Sequence, residues 1–164
     1  MHRFRRYNMF SVIQKKLRDG FSHRVKPSER NIDLHPNLSL EEESYHRFSA
    51  ADDAEIDALI IRKEGDAWFY FSDIEKSYFL PRILAAFSSW AQLETLPLHI
   101  VETLSWVPFE DQLSSPWNNL TEREILAVRA WLEFMLPDAA SFEDTKMLDD
   151  GLKGCDFLLS IQSS

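Results

Sequence analysis

The chain has 164 residues, of which 45% are hydrophobic and 13% aromatic, a composition that excludes an intrinsically disordered protein and fits one domain with one core. Its 18 Lys and Arg and 27 Asp and Glu give a formal net charge of −9, which disfavours nucleic acid as the main partner. One cysteine excludes an intramolecular disulfide, and no apolar run reaches the roughly 18 residues of a membrane span, so the sequence predicts a cytoplasmic protein without a membrane partner.

The charge is distributed unevenly along the chain. Residues 1–30 contain nine Lys or Arg and two acidic residues, a balance of +7, whereas residues 31–164 contain nine basic and 25 acidic residues, a balance of −16. Residues 1–9 are interpreted as a basic, flexible arm that precedes a single helical domain at residues 10–164. Attraction between the basic region and the acidic body is favoured over binding to nucleic acid, because the body would repel phosphates.

Hydrophobic periodicity and the presence of only four glycines favour an all-α fold, a compact bundle of five to seven helices. The first predicted helix begins at Phe10, with apolar residues at spacings of three and four, and Gly20 is expected to close it. After a polar connection, Ser39 and Glu42 have the spacing of a capping box and predict a second helix start.

The next predicted helix runs over 54–62, with Asp52 and Asp53 available as caps and Gly65 at its end. Its inward-facing residues are predicted to be Ile56, Leu59 and Ile60. The aromatic segment that follows is ambiguous, because residues 67–71 fit either a short hairpin or a helical turn.

Proline positions predict the helix starts in the second half of the chain. Pro81 is expected to open a helix that continues through Phe87 and Trp90, and Pro97 is expected to open the next one. A turn-rich loop follows over 108–119. These predictions place Phe87 and Trp90 on a helix and leave the loop, which holds Phe109 and Trp117, for recognition.

A second capping box and two glycines mark the last predicted elements. Thr121 and Glu124 have the capping-box spacing and predict a helix over 122–136, which Pro137 stops. The tail over 142–161 is apolar at helical spacing, but two glycines interrupt it, so one broken helix or two short helices are expected. Those glycines are Gly151 and Gly154.

Two segments, SYFLPRILAAF and LTEREILAVRAWLEFM, resemble a pattern found in an uncharacterised bacterial family. In that family an aromatic-aromatic-Leu-Pro step opens a helix, and a later Leu-Thr helix start leads to an Ala-Val pair and an aromatic-Leu pair. The positions that carry the resemblance are Tyr78, Phe79, Leu80 and Pro81, then Leu120, Thr121, Ala127, Val128, Trp131 and Leu132. The resemblance covers about half of the chain and implies an intracellular, bacterial, helical domain, with no activity attached to it.

No motif for metal binding or catalysis is complete in the sequence. Glu43 and His46 have a Glu-x-x-His spacing, but a di-iron bundle needs that spacing twice, and no other histidine has a Glu three positions earlier. A Gly-x-Ser-x-Gly elbow and a glycine-rich phosphate loop are both missing. Cys155 is expected to be a small buried side chain. The sequence therefore predicts no catalytic residue, no metal and no cofactor.

An acidic segment is the candidate binding site. It is opposed only by Arg47 and consists of Glu41, Glu42, Glu43, Asp52, Asp53, Glu55 and Asp57. Part of this acidity is explained by helix capping, but the surplus predicts an attraction for basic surfaces. The loop around residues 106–117 is expected to add aromatic anchors and further acids. These residues are Trp106, Phe109, Glu110, Asp111 and Trp117.

The sequence thus predicts an acidic binding protein that neutralises a basic protein partner, in its most specific form an immunity protein or an antitoxin-type inhibitor of a toxin. One alternative is a small enzyme or ligand-binding domain whose site is built from dispersed residues such as His99, Glu102 and Trp106, which share a helix face. The other alternative is a regulator that touches nucleic acid through the basic N-terminal arm.

Overall fold

The computed structural model describes residues 2–28, 39–90, 93 and 95–163. Within these ranges it contains seven α-helices and no β-strand, so the predicted all-α fold is confirmed. The helices are α1 (His2–Gly20), α2 (Ser39–Ala50), α3 (Ala58–Glu64), α4 (Asp73–Ala85), α5 (Thr95–Trp106), α6 (Glu122–Met135) and α7 (Phe142–Gln162). Short 3-10 turns lie at Asp53–Glu55, Gly65–Tyr70, Val107–Phe109, Trp117–Asn119 and Leu136–Asp138.

The helices pack around one hydrophobic core. α1 lies against α4 and α6, α6 also packs on α7, and α7 packs on α5. α2 and α3 lie together against the 3-10 turn at Gly65–Tyr70, which connects them to α5. Each of the seven helices contributes an almost completely buried side chain to the core; examples in chain order are Leu17, Phe48, Ile61, Leu80, Leu104, Trp131 and Leu148.

An aromatic cluster fixes α2 to the segment that precedes α4. Phe71 stacks on Phe79 with ring centroids 4.9 Å apart, and Phe48 meets these two rings edge to face at 5.4 and 5.2 Å. The hydroxyl of Tyr45 donates to the buried carboxylate of Glu75 at 2.5 Å. Aromatic residues that fitted a hairpin on sequence grounds therefore pack between helices instead.

The N-terminal basic region is helical in the structure. α1 begins at His2, whereas the sequence placed the helix start at Phe10 and treated residues 1–9 as a flexible arm. The guanidinium of Arg6 lies 4.4 Å from the centroid of the Phe134 ring, and it pairs with Asp138 at 3.5 Å. This contact between the basic region and the acidic body is of the intramolecular kind that the charge distribution favoured.

α4 differs from its prediction at both ends. Pro81, predicted to open a helix, lies inside α4, which starts eight residues earlier at Asp73. The start is set by a capping box in which Ser72 Oγ accepts from the amide of Glu75 at 3.2 Å and the Glu75 carboxylate accepts from the amide of Ser72 at 3.0 Å. α4 ends at Ala85, so Phe87 and Trp90 are buried beyond the helix rather than within it.

The helix predicted over 54–62 is divided in the structure. A 3-10 turn covers Asp53–Glu55, and α3 then starts at Ala58 because Asp57 Oδ1 accepts from the amide of Ile60 at 2.9 Å. The later start rotates the helix relative to the prediction. Ile56 is buried as expected, but Leu59 is exposed, and Ile61 occupies the buried position instead.

α5 and α6 lie close to their predicted positions. α5 starts two residues before Pro97, which lies in its first turn. α6 starts at Glu122, where the predicted capping box forms: Thr121 Oγ1 accepts from the amide of Glu124 at 3.3 Å, and the Glu124 carboxylate accepts from the amide of Thr121 at 2.9 Å. The helix ends at Met135, one residue before the predicted end.

α7 is one continuous helix of 21 residues, which corrects the prediction of a broken helix or two short ones. Its two glycines lie at helix contacts. A Cβ on Gly151 would lie 3.5 Å from side chains of Val101 and Leu132, and a Cβ on Gly154 would overlap the carbonyl oxygen of Leu104. Glycine is therefore present here to let α7 approach α5 closely.

Candidate protein-binding surface

The first part of the acidic segment lies on α2, beside a histidine and an arginine of the same helix. Glu42 and His46 approach to 3.6 Å, and Glu43 and Arg47 also approach to 3.6 Å, each pair one helical turn apart. Arg47 binds Glu64 of α3 more closely, at 2.8 Å. Both Glu42 and Glu43 remain exposed to solvent, so they add to the local field, while Glu41 lies outside the described side chains.

The second part of the acidic segment builds local structure. The guanidinium of Arg82 donates to both carboxylate oxygens of Asp53, at 2.5 and 2.9 Å, and the hydroxyl of Tyr78 donates to Oδ1 at 3.2 Å. The hydrogen bond from Arg82 lowers the pKa of Asp53 below its usual value. Glu55 accepts from the amide of Asp52 at 2.9 Å. Asp52, Asp53 and Glu55 are exposed, but Asp53 and Glu55 already form hydrogen bonds within the fold.

The predicted aromatic anchors separate into two groups in the structure. Trp117 is only 2% exposed, and its indole Nε1 donates to Thr103 Oγ1 at 3.1 Å, so it belongs to the core and is not available to a partner. Trp106 and Phe109 lie at the end of α5 and in the turn after it, with exposures of 48% and 86%. Large apolar side chains with that exposure are candidates for burial in an interface.

A third exposed aromatic residue lies next to α5 and was not predicted as a site residue. Phe69, in the 3-10 turn before α4, is 58% exposed, and its ring centroid lies 5.1 Å from that of His99. Asp66 of the same turn lines a cavity of about 260 Å³ together with both rings. The turn was ambiguous on sequence grounds, so no signal placed Phe69 or Asp66 beside α5.

Together these side chains form one surface, which we call the acidic aromatic face. It consists of Asp66, Phe69, His99, Glu102, Trp106 and Phe109. His99, Glu102 and Trp106 follow one another at spacings of three and four residues, so they share the outer side of α5 over about 10 Å. Glu110 and Asp111 continue the chain directly beyond this face.

The carboxylates of the acidic aromatic face differ from those of the acidic segment in their partners. Within the described ranges, neither Asp66 nor Glu102 forms an ion pair with a lysine or arginine, and the same holds for Glu110 and Asp111. The carboxylate of Glu110 accepts only a long hydrogen bond, at 3.5 Å, from the amide of Ser114. The negative charge on this face is therefore available to a partner.

The residues of the predicted enzyme alternative lie on one helix face without meeting in a pocket. The cavity beside His99 is lined by Arg62, Asp66 and Phe69, but Glu102 and Trp106 lie outside it. Across the described part of the chain, no group of three or more His, Cys, Asp or Glu side chains is placed to hold a metal ion. The trio His99, Glu102 and Trp106 thus belongs to a surface.

A cavity of about 500 Å³ lies between α1 and α4 and is lined by several arginines. Two of them already have buried or bidentate partners, since Arg24 binds Glu124 and Arg82 binds Asp53. Arg18 is exposed at the rim of this cavity. The cavity therefore holds structural ion pairs rather than a convergent set of free cations.

Cys155 is buried at 1% exposure, as the sequence predicted, and burial raises the pKa of its thiol to about 12. We expect the native protein to react with a thiol-specific disulfide reagent at least about a hundredfold more slowly than the unfolded chain, because very little thiolate forms near neutral pH. Absorbance-monitored labelling with and without denaturant measures this ratio. Equal rates in the two conditions would contradict the burial of this side chain.

None of the described helices combines the length and the apolar character needed to cross a membrane. Comparison with known proteins gives no match of any kind: no family model, no curated protein and no solved structure is significantly similar to this chain.

Proposed function

We propose that this protein binds a basic protein partner through the acidic aromatic face and neutralises it, as an immunity protein or an antitoxin-type inhibitor does. One observation carries the proposal. Three large aromatic side chains, Phe69, Trp106 and Phe109, are exposed beside carboxylates that have no cationic partner in the described structure. A surface of this composition fits a partner that offers apolar pockets flanked by lysine or arginine.

The aromatic residues would supply most of the affinity. Complete burial of one large apolar side chain contributes about 1.5–3 kcal/mol, and tryptophan is among the residues enriched at binding hot spots. Trp106 lies at the middle of the sequence Glu102 to Glu110, so its burial would bring carboxylates on both sides close to the partner. Aromatic anchors also order at low entropic cost, because they have few rotatable bonds.

The carboxylates would supply selectivity and a fast encounter. Opposite charges on two approaching surfaces raise the association rate, and like charges reject other partners. Glu42 and Glu43 would add to this field, because α2 packs on the same 3-10 turn that carries Asp66 and Phe69. Neutralisation follows if the carboxylates cover basic residues that the partner needs to hold a phosphate or another anion.

The test of the aromatic anchors starts from capture of partners by the full-length protein at low ionic strength, with identification by mass spectrometry. For the captured basic partner, we expect the double variant Trp106→Ala/Phe109→Ala to weaken the affinity by about tenfold or more. The control is Phe142→Ala, which removes an equally exposed aromatic side chain from the start of α7. An acidic partner, or equal affinity of the double variant and the wild type, would refute the proposal.

Charge reversal tests the electrostatic part of the proposal separately. Asp66→Lys/Glu102→Lys should slow association by about tenfold at low ionic strength, and the difference should shrink as added salt screens it. Asp149→Lys/Glu143→Lys changes the net charge equally on α7, where both acids are exposed, and should leave the association rate almost unchanged. If both double variants slow association equally, net charge rather than this face determines the encounter.

A further inference from the structure

A second surface, between α1 and α6, has the composition of a docking groove. Two adjoining cavities of about 430 and 290 Å³ run between α1 and α6 and share three lining residues. The shared residues are Lys16, Ala130 and Glu133. Since α1 and α6 contact each other at both ends, through Gly20 with Ala127 and through Phe10 with Phe134, the groove is a fixed feature of the fold.

Two helical stripes form the walls of this groove. On α1, Met9, Val12 and Lys16 line the groove at spacings of three and four residues, and Arg5 extends this stripe four residues before Met9, outside the lining of the cavities. On α6, the matching stripe at spacings of three, four and three consists of Arg123, Leu126, Ala130 and Glu133. Each stripe spans about 15 Å, which is the length of about three turns of an α-helix.

Three aliphatic side chains of the groove are uncovered. Met9, Val12 and Leu126 are 58%, 54% and 48% exposed, although the side chains of Ile13 and Phe134 beneath them are buried. Exposed aliphatic side chains that line one concave surface above a buried floor are unusual on a protein surface that faces only water. Their placement makes them candidates for burial against another molecule.

The groove and the helical turn beyond it carry positive charge that has no ion-pair partner. The two acidic side chains that line it are already engaged, since Asp19 pairs with Lys15 at 2.6 Å and Glu133 pairs with Arg129. Within the described structure Arg5, Lys16 and Arg123 have no ion-pair partner. In a chain of net charge −9, this groove is thus a local site of uncompensated positive charge.

We propose that the groove between α1 and α6 docks an acidic amphipathic helix of a protein partner. Three turns of helix would fit its length, with apolar residues at positions i, i+3 or i+4, and i+7 over Met9, Val12 and Leu126, and with Asp or Glu beside the free cations. A second copy of this chain fits less well, because a symmetric contact would place this positively charged surface against an identical one. A bilayer surface fits less well, because the apolar residues line a concavity.

The proposal is tested on the full-length protein with synthetic peptides of about 18 residues, long enough for five helical turns. One peptide has a leucine face and a glutamate face, the second has the same leucine face with lysine in place of glutamate, and the third is the first with its sequence scrambled. Fluorescence anisotropy should show that the acidic helix binds at least about tenfold more tightly than either control peptide.

Variants locate the binding site. Val12→Ser/Leu126→Ser and Lys16→Glu/Arg123→Glu should each weaken binding of the acidic peptide by about tenfold or more. Two matched controls lie on α3, where Leu59→Ser removes an exposed leucine and Lys63→Glu reverses an exposed lysine, and neither should change the affinity. Thermal unfolding followed by circular dichroism checks that all variants remain folded.

Each alternative occupant gives a different result. Absence of acidic-peptide binding at millimolar concentration, or equal binding of the lysine peptide, would overturn the proposal. So would binding to vesicles of phosphatidylglycerol and phosphatidylcholine that Val12→Ser/Leu126→Ser abolishes, or a dimer in sedimentation analysis that the same variant dissociates. Trp106→Ala/Phe109→Ala should leave peptide binding unchanged, so failure of this inference and failure of the proposed function are distinguishable.

Discussion

Replacing Arg24 with methionine should lower the free energy of unfolding by about 3–5 kcal/mol, because it leaves a buried carboxylate without its counter-charge. The side chain of Glu124 is completely buried. Arg24 approaches it through two nitrogens, with Nε 2.7 Å from Oε2 and a terminal nitrogen 2.8 Å from Oε1. The hydrogen bonds of such a bidentate pair are short and charge-assisted. Among the ion pairs of this protein, we expect the loss of this one to lower the free energy of unfolding most.

The effect is large because the Glu124 carboxylate is completely buried, so water does not solvate it when Arg24 is replaced. In the variant Glu124 would keep one donor, the amide of Thr121 at 2.9 Å, since that bond belongs to the capping box of α6. Arg24 also donates to the carbonyl of Asn119 at 2.6 Å, so its removal frees the loop before α6 as well. The N-terminal end of α6 and the segment after α1 would both loosen.

Urea denaturation measures the loss, and Arg129→Met is the matched control. Arg129 pairs with Glu133 and Asp156 on the surface, so the same substitution there should change the free energy of unfolding by only about 0–1 kcal/mol. Arg24→Lys keeps the charge but not the bidentate geometry and should lie between the two, which keeps the comparison usable if Arg24→Met does not fold. Equal losses for Arg24→Met and Arg129→Met would show that the buried pair has no special role.

Local patterns predicted the helix starts that depend on local contacts. The Thr121 to Glu124 capping box places α6 correctly because all of its hydrogen bonds form within four residues. The same pattern occurs at Ser72 and Glu75, but Pro81 by itself also predicts a helix start, and that second prediction is wrong. A proline inside a helix removes one hydrogen bond, and the packing of the buried residues around Pro81 outweighs that loss.

The candidate site depended on contacts between distant residues, which no local pattern shows. The surplus of acid in the segment from Glu41 to Asp57 was visible in the sequence, but the partner of Asp53 is Arg82, 29 residues away. Trp117 and Phe109 have similar neighbours in sequence and opposite exposures in the structure, because Trp117 reaches Thr103 on α5. Assembly of Phe69 against α5 likewise follows from the tertiary fold.

The glycines of α7 were read as helix breakers because glycine has a low helix propensity when it is considered alone. In the structure the deciding factor is a different helix, α5, whose backbone lies against Gly154. Packing between two helices therefore compensates for the low propensity within one of them. This explains why the tail was expected to break and yet forms 21 residues of continuous helix.

Gly154→Ala should destabilise the protein by about 1–3 kcal/mol or more, whereas Gly151→Ala, one turn away on the same helix, should stabilise it by up to about 1 kcal/mol. Both substitutions gain helix propensity equally. They differ in what the new methyl group meets. At Gly154 it overlaps the carbonyl oxygen of Leu104, a backbone atom that can move only if α5 and α7 separate.

At Gly151 the methyl group would lie 3.5 Å from Val101 and Leu132, which is ordinary van der Waals contact between side chains. The comparison of the two alanine variants by urea denaturation thus cancels the propensity term and isolates the helix contact. Gly154→Ser should behave like Gly154→Ala, because its Cβ has the same position. If both alanine variants stabilise the protein, a methyl group at position 154 does not overlap the backbone of α5. In that case close packing of α5 and α7 does not require glycine at this position.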